Sequence, residues 1–226
     1  DGWTPFLALV LFISLAAVPI LLAAGSAPRL DLGHQSSRWS AYRLAPTVFA
    51  AIFVSGLVDT AMLSLLPIYG LRHGLAREEA VMLLSIAIAG TILVQAPLGW
   101  LTDKLNRRTL LLGVGATGLV GAMLLPVVLT EPWLRWPLLF LWGGTVAGLY
   151  TVALAELGAR FEGSALASAN ALFVMTYCVG SLLGPSAAGS AMDVVGPDGF
   201  VWVVAAALGL FLALGLVRMR RRPVRR

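Results

Sequence analysis

Asp59 stands near the centre of the apolar stretch SGLVDTAMLSLLPIYG. An ionised side chain in the middle of a membrane-crossing helix costs about 2.5–3.5 kcal/mol on insertion scales, so it normally faces a polar cavity or a partner. A carboxylate held there can contact a solute, or take up and release a proton. The structural alternative is a protonated Asp bonded to neighbouring backbone. Ser55 lies one turn earlier, on nearly the same face. Gln95, Tyr150, Asn170 and Tyr177 also sit in apolar stretches. Each is a candidate cavity contact, and each is equally able to bond a neighbouring helix.

A short connector between two apolar runs, GWLTDKLNRR, Gly99 to Arg108, gathers one acid and three bases within ten residues. Asp103 falls at the C-terminal end of the preceding apolar run, where the helix dipole repels an acid. It therefore calls for compensation, from Arg107 four residues on or from the free N–H groups of another helix. Gly99 leaves room for a neighbour to approach, and Asn106 tolerates left-handed backbone at a sharp turn. Glu156 lies four residues before Arg160 and within expected reach of Arg107 or Arg108. A purely local Glu156–Arg160 pair, exposed, is worth only ~0.5 kcal/mol.

Other chemistries lack their residues. Cys178 is the single cysteine, so no internal disulfide forms, and it reads as a small packing residue. His34 and His73 are expected on opposite sides of a membrane, and neither an acid pair nor a Ser–His combination is evident. Metal and nucleophilic catalysis thus have no obvious ligands or nucleophile, and no cofactor is implied. A seven-span photoreceptor is disfavoured because the only lysine, Lys104, lies in a connector and cannot form a retinal Schiff base within a span.

These residues must be positioned by a chain of unusual composition. Of 226 residues, 59% are hydrophobic and 12% charged, and the mean hydropathy is +0.89. Soluble domains carry about a quarter charged residues. Seven runs are long enough to cross a bilayer: Trp3–Ala24, Ala45–Gly70, Ala80–Leu101, Thr109–Leu129, Pro137–Gly158, Ala167–Val194 and Phe200–Val217. None alternates with period two, which argues against a β-barrel. The expected class is an all-α integral membrane protein with seven transmembrane helices.

Basic residues set the expected orientation. Arg29, Arg38, Arg43, Lys104, Arg107, Arg108, Arg160 and the tail RMRRRPVRR fall on one side, against Arg72, Arg77 and Arg135 on the other. The positive-inside rule makes the first side, with the C-terminus, cytoplasmic. The formal net charge of +5 is then a topology signal and not a nucleic-acid footprint, and the tail arginines suit anionic lipid head groups. Asp1 is expected outside, directly before a span and with no basic stretch ahead of it, which reads as a cut point in a longer chain.

Residues 25–44, rich in Gly, Pro and Ser, read as a linker after a first span at 1–24. Its end, RWSAYRL, is suited to lie flat at the interface on Trp39 and Tyr42. The six spans within 45–217 divide into two triplets of opposite orientation, a 3+3 inverted repeat visible in span order and hardly in residue identity. Residues 218–226 form a basic tail. Gly144 with Gly148, and Gly180 with Gly184, space small residues for close helix packing. Pro185 removes a backbone donor and permits a bend, with Gly189 beyond it.

The connector resembles the loop signature of the major facilitator superfamily, G-x-L-a-D-[RK]-x-G-[RK]-[RK], in its second-half copy. Gly99, Leu101, Asp103, Lys104, Arg107 and Arg108 match, and Asn106 replaces a glycine. With GLYTVALAELGARF and TYCVGSLLGPSAAG, the chain is similar over nearly its whole length to the YcaD-like bacterial branch of that family. The resemblance implies that residues 1–24 are the last helix of a missing N-terminal half and that 45–217 form a complete C-terminal six-helix half. It implies alternating-access transport of a small solute across a bacterial inner membrane, with proton coupling an open option. It further implies a cytoplasmic gate network of Gly99, Asp103, Lys104, Arg107, Arg108, Glu156 and Arg160, whose partner helix belongs to the other half. The alternative is a non-transporting membrane sensor on the same scaffold.

Overall fold

The computed structural model describes residues 38–220, together with 10–12, 14, 15, 18 and 19. Most of the first apolar run, the greater part of the 25–44 linker and the end of the basic tail lie outside the described residues. Residues 1–34 and 35–226 form separate compact units. In the first, the described residues are helical and exposed.

In the second unit a short helix, α1 (Arg38–Leu44), leads into six long ones. These are α2 (Pro46–Arg72), α3 (Arg77–Lys104), α4 (Arg107–Val128), α5 (Pro132–Gly158), α6 (Gly163–Val195) and α7 (Gly199–Arg220). All six are long and apolar enough to span a membrane. Even the 22 residues of α4 rise about 33 Å at 1.5 Å per residue. Helix is the form that satisfies every backbone N–H and C=O within one segment, as hydrocarbon requires. Strands are absent among the described residues.

Local chemistry sets the helix ends. Pro46 and Pro132 open α2 and α5 within the first helical positions, where a missing N–H costs nothing. Pro46 also pushes Ala45 out of helical geometry, to φ −129°, and so separates α1 from α2. Gly196, at φ +97°, ends α6 in a conformation that other residues avoid. The connector between α3 and α4 corrects one sequence expectation. Asn106 does not adopt left-handed backbone; it has φ −62° and caps α4, its side chain accepting from the N–H groups of Arg108 and Thr109. Two otherwise unsatisfied donors outweigh the turn preference of Asn.

The most extensive packing runs between α2 and α6 and between α3 and α5. Both contacts depend on glycine. A Cβ on Gly180 or Gly184 would collide with the backbone carbonyls of Phe53 or Leu57. On the other pair, a Cβ on Gly90 would strike Phe140 backbone, and one on Gly144 would strike Val94. Gly148 meets Leu98 in the same way, whereas Gly189 faces open space.

A threonine staples each close pair. Pro185 has no N–H to offer the carbonyl of Ser181, one turn earlier in α6. Thr60 of α2 donates to that oxygen at 3.0 Å as well as to its own Gly56 carbonyl at 2.7 Å. Thr91 of α3 does the corresponding work, reaching Ala87 O and, across the interface, Gly143 O, each at 3.2 Å. At the α4–α5 contact, buried Trp142 donates its indole N–H to Gly118 O at 3.0 Å.

Burial is uneven. Within its most apolar window α2 is 61% buried, against 22% for α3 and 17% for α6. Both poorly buried helices keep one face on the bundle and turn the other outward.

Candidate functional site

Halfway along α2, the Asp59 carboxylate accepts a hydrogen bond from the Tyr177 hydroxyl of α6 at 3.0 Å. Tyr177 stands edge-on to Tyr150 of α5, with ring centroids 5.6 Å apart and planes at 88°. Tyr150 in turn meets Phe173 at 5.4 Å. Three helices therefore bring Asp59, Tyr150 and Tyr177 together at mid-span. The register follows from the glycine contacts: Gly56 lies against the Tyr177 backbone, so the acid one turn later in α2 meets the Tyr177 ring. Ser55 is fully buried close by in sequence, and its hydroxyl has no hydrogen-bond partner among the described residues. Gln95 and Asn170 do not join the cluster; they occupy exposed positions on α3 and α6.

Chemically, the cluster pairs a carboxylate acceptor with a phenol donor beside an aromatic wall. It can bind a polar or cationic solute group by exchanging the Tyr177 bond for a solute bond, and Asp59 can carry a proton.

The end of the bundle bearing the 104–107 and 158–163 connectors holds the remaining candidates. Asp103 and Lys104 are exposed. Lys104 places its ammonium 4.0 Å from the centroid of the Trp100 ring. Arg107 Nε donates to Thr102 O at 3.4 Å, so it turns back on α3 instead of reaching Asp103. A Cβ at Gly99 would meet only open space. Glu156 forms an ion pair with Arg160, the local arrangement, and Arg160 also donates to Leu44 O at 3.1 Å.

Sequence reasoning missed a set of contacts at the opposite end. Arg135, only 2% exposed, pairs with Glu79 at 3.0 Å and donates to Leu129 O at 3.1 Å. It also lies 4.3 Å from the Trp136 ring centroid. Arg72 pairs with Asp193 at 2.6 Å and donates to Met192 O at 2.9 Å. Asp198 accepts from Tyr69 and faces His73, each at 3.2 Å. Trp136, the residue after Arg135 in EPWLRWP, was a legible signal that a ring lies against its charge, whereas Trp133 is exposed. Nothing in the sequence pointed to Glu79.

Six long apolar helices, charges gathered at both ends and one acid at mid-depth define an integral membrane protein. A family model described as Major Facilitator Superfamily matches residues 2–159 and, in a second alignment, 48–226. The chain belongs to that superfamily. It is 30% identical over 165 residues to a protein of Salmonella paratyphi B named "Uncharacterized MFS-type transporter YcaD", covering 73% of this chain and 42% of the relative. It is also 30% identical over 141 residues to "Uncharacterized MFS-type transporter YfkF" of Bacillus subtilis, covering 62% of this chain and 36% of the relative. The matched part thus spans less than half the length of either relative.

Proposed function

We propose that this chain is the C-terminal half of a secondary transporter that moves a small solute by alternating access, with Asp59, Tyr177 and Tyr150 contacting the solute or coupling proton. The observation that carries the reading is the Asp59–Tyr177 hydrogen bond at mid-span. An acid is retained there against a desolvation cost, and its partner is a hydroxyl that a solute can replace. Support for a two-part architecture comes from the packing pattern. Exchanging the triplets α2–α4 and α5–α7 turns the α2–α6 contact into α5–α3, the other most extensive pair, as a 3+3 inverted repeat would. The outward faces of α3 and α6, which carry Gln95 and Asn170, are where an N-terminal half would dock.

In this reading the basic-rich end is cytoplasmic, in a bacterial inner membrane. Asp103 then awaits a helix N-terminus of the other half, with Gly99 leaving the approach clear. Lys104, Arg107, Arg108, Glu156 and Arg160 surround that latch.

The test is solute uptake into vesicles by the chain co-expressed with an N-terminal half, with and without a proton gradient. Asp59→Asn and Tyr177→Phe should each abolish or uncouple uptake, while expression stays normal. Unchanged uptake and unchanged gradient dependence in both variants would defeat the proposal.

A further inference from the structure

His73 closes α2 as its C-cap residue, and both of its ring nitrogens face acceptors. Nδ1 lies 3.0 Å from the backbone carbonyl oxygen of Tyr69. Nε2 lies 3.2 Å from Oδ1 of Asp198, in the α6–α7 connector. A carbonyl and a carboxylate bring only lone pairs. A neutral imidazole carries one N–H, so one of its nitrogens would set a lone pair against another lone pair. The imidazolium donates to both. The negative end of the α2 dipole, where the ring sits, favours the same charged form.

The partners are held firmly. Tyr69 is fully buried, with its ring 4.3 Å from the His73 ring and 5.5 Å from that of Phe200. Its hydroxyl donates to the same Asp198 oxygen at 3.2 Å. Asp198 sits in a tight turn between Gly196, at φ +97°, and Gly199, where a Cβ would strike the Ala191 backbone. Other charges on the adjoining elements are engaged or turned outward. Arg72 pairs with Asp193 and Glu79 with Arg135, while Arg77 and Glu78 are exposed. His73 itself is partly exposed, so a proton can reach it.

We propose that His73 is a proton-operated clasp: its imidazolium ties the end of α2 to the α6–α7 connector, and loss of the proton opens that tie. The tie is complete at low pH and weakens as pH rises through roughly 5 to 8, the range in which histidine changes charge. In the orientation proposed above this end faces the cell exterior, so the clasp answers to external pH. The inference does not rest on the transport reading, because the tie is measured without a solute.

Hydrogen exchange of the detergent-solubilised chain at about pH 5 and about pH 8, each corrected for the intrinsic rate, provides the test. The amides of Gly199 and Trp202, which bond Gly196 O and Asp198 O, report on the turn. Their protection should be about fivefold greater at the lower pH, the upper worth of a partly exposed ion pair. His73→Gln and Asp198→Asn should each abolish that difference, bringing protection at low pH down to the wild-type level at high pH. His34, the only other histidine, remains in both variants, so a response arising there would survive. Equal protection at the two pH values, greater protection at the higher one, or a difference that survives either substitution would overturn the proposal.

Discussion

The two ends of the helix bundle handle charge in opposite ways. At the end bearing Arg72, Glu79, Arg135, Asp193 and Asp198, acids and bases meet across helices that are distant in sequence. Arg72 ties α2 to α6, and Arg135 ties α5 to α3, the same two pairs that pack most extensively. At the other end, Asp103 and Lys104 are exposed, Arg107 folds back on its own connector and Glu156 pairs within one turn. One end is closed by cross-helix bonds. The other spends its acids locally or turns them outward. Charge at the first end bridges helices, and at the second Asp103 and Lys104 face outward.

The largest expected break in this contrast is Arg135→Met. It leaves Glu79 without its partner and Leu129 O without a donor. Losing a buried pair's partner costs 3–5 kcal/mol in general, and Glu79 is 45% exposed, so a loss of about 2–3 kcal/mol is expected. A lowered midpoint in thermal unfolding of the detergent-solubilised chain would register it; an unchanged midpoint would show that the closed end is not load-sharing.

Next comes Asn106→Ala, which removes the cap of α4 and should cost about 1 kcal/mol. Hydrogen exchange ought to rise in the first turn of α4, at Arg108 and Thr109, and nowhere at the opposite end. Glu156→Gln should cost ~0.5 kcal/mol or less, since the pair lies one helical turn apart and is partly exposed. Raising the salt concentration should erase the difference between wild type and variant. The smallest stability effect belongs to Asp103→Asn, within ~0.5 kcal/mol of wild type as for other exposed sites. Yet its effect on the balance of inward- and outward-open forms, read by cysteine accessibility in the co-expressed transporter, should be the clearest of the four. A variant that transports normally with an unchanged balance would remove Asp103 from the gate.

The helices were legible because hydrocarbon imposes a minimum apolar length, and Thr109–Leu129 lies almost wholly within α4. Their ends were less so. α3 begins at Arg77, before the apolar run at Ala80, because charged residues at the interface continue a helix without cost. The short α1 looked like linker, with Tyr42 as an interfacial anchor. Its ring meets Phe49 of α2 at 4.3 Å, tilted by 40°, and its hydroxyl bonds Thr176 at 2.7 Å, a contact that depends on where α6 stands. The cap of α4 by Asn106 is written in N-R-R-T, an Asn directly before the helix start, a pattern that competes with its turn preference. Asp59 and Tyr177 were each legible as polar residues in oily surroundings, but not as a pair. They are separated by 118 positions, and only the register between α2 and α6 brings them together.

The hydroxyl of Thr60 has a mechanical corollary. Ser181 O lost its helical donor to Pro185 and finds a replacement at one height on α2 alone. Sliding α6 along α2 would strand that carbonyl in oil, at a cost of several kcal/mol. The two rods must therefore travel as a single welded beam, and whatever swings in this protein must hinge elsewhere.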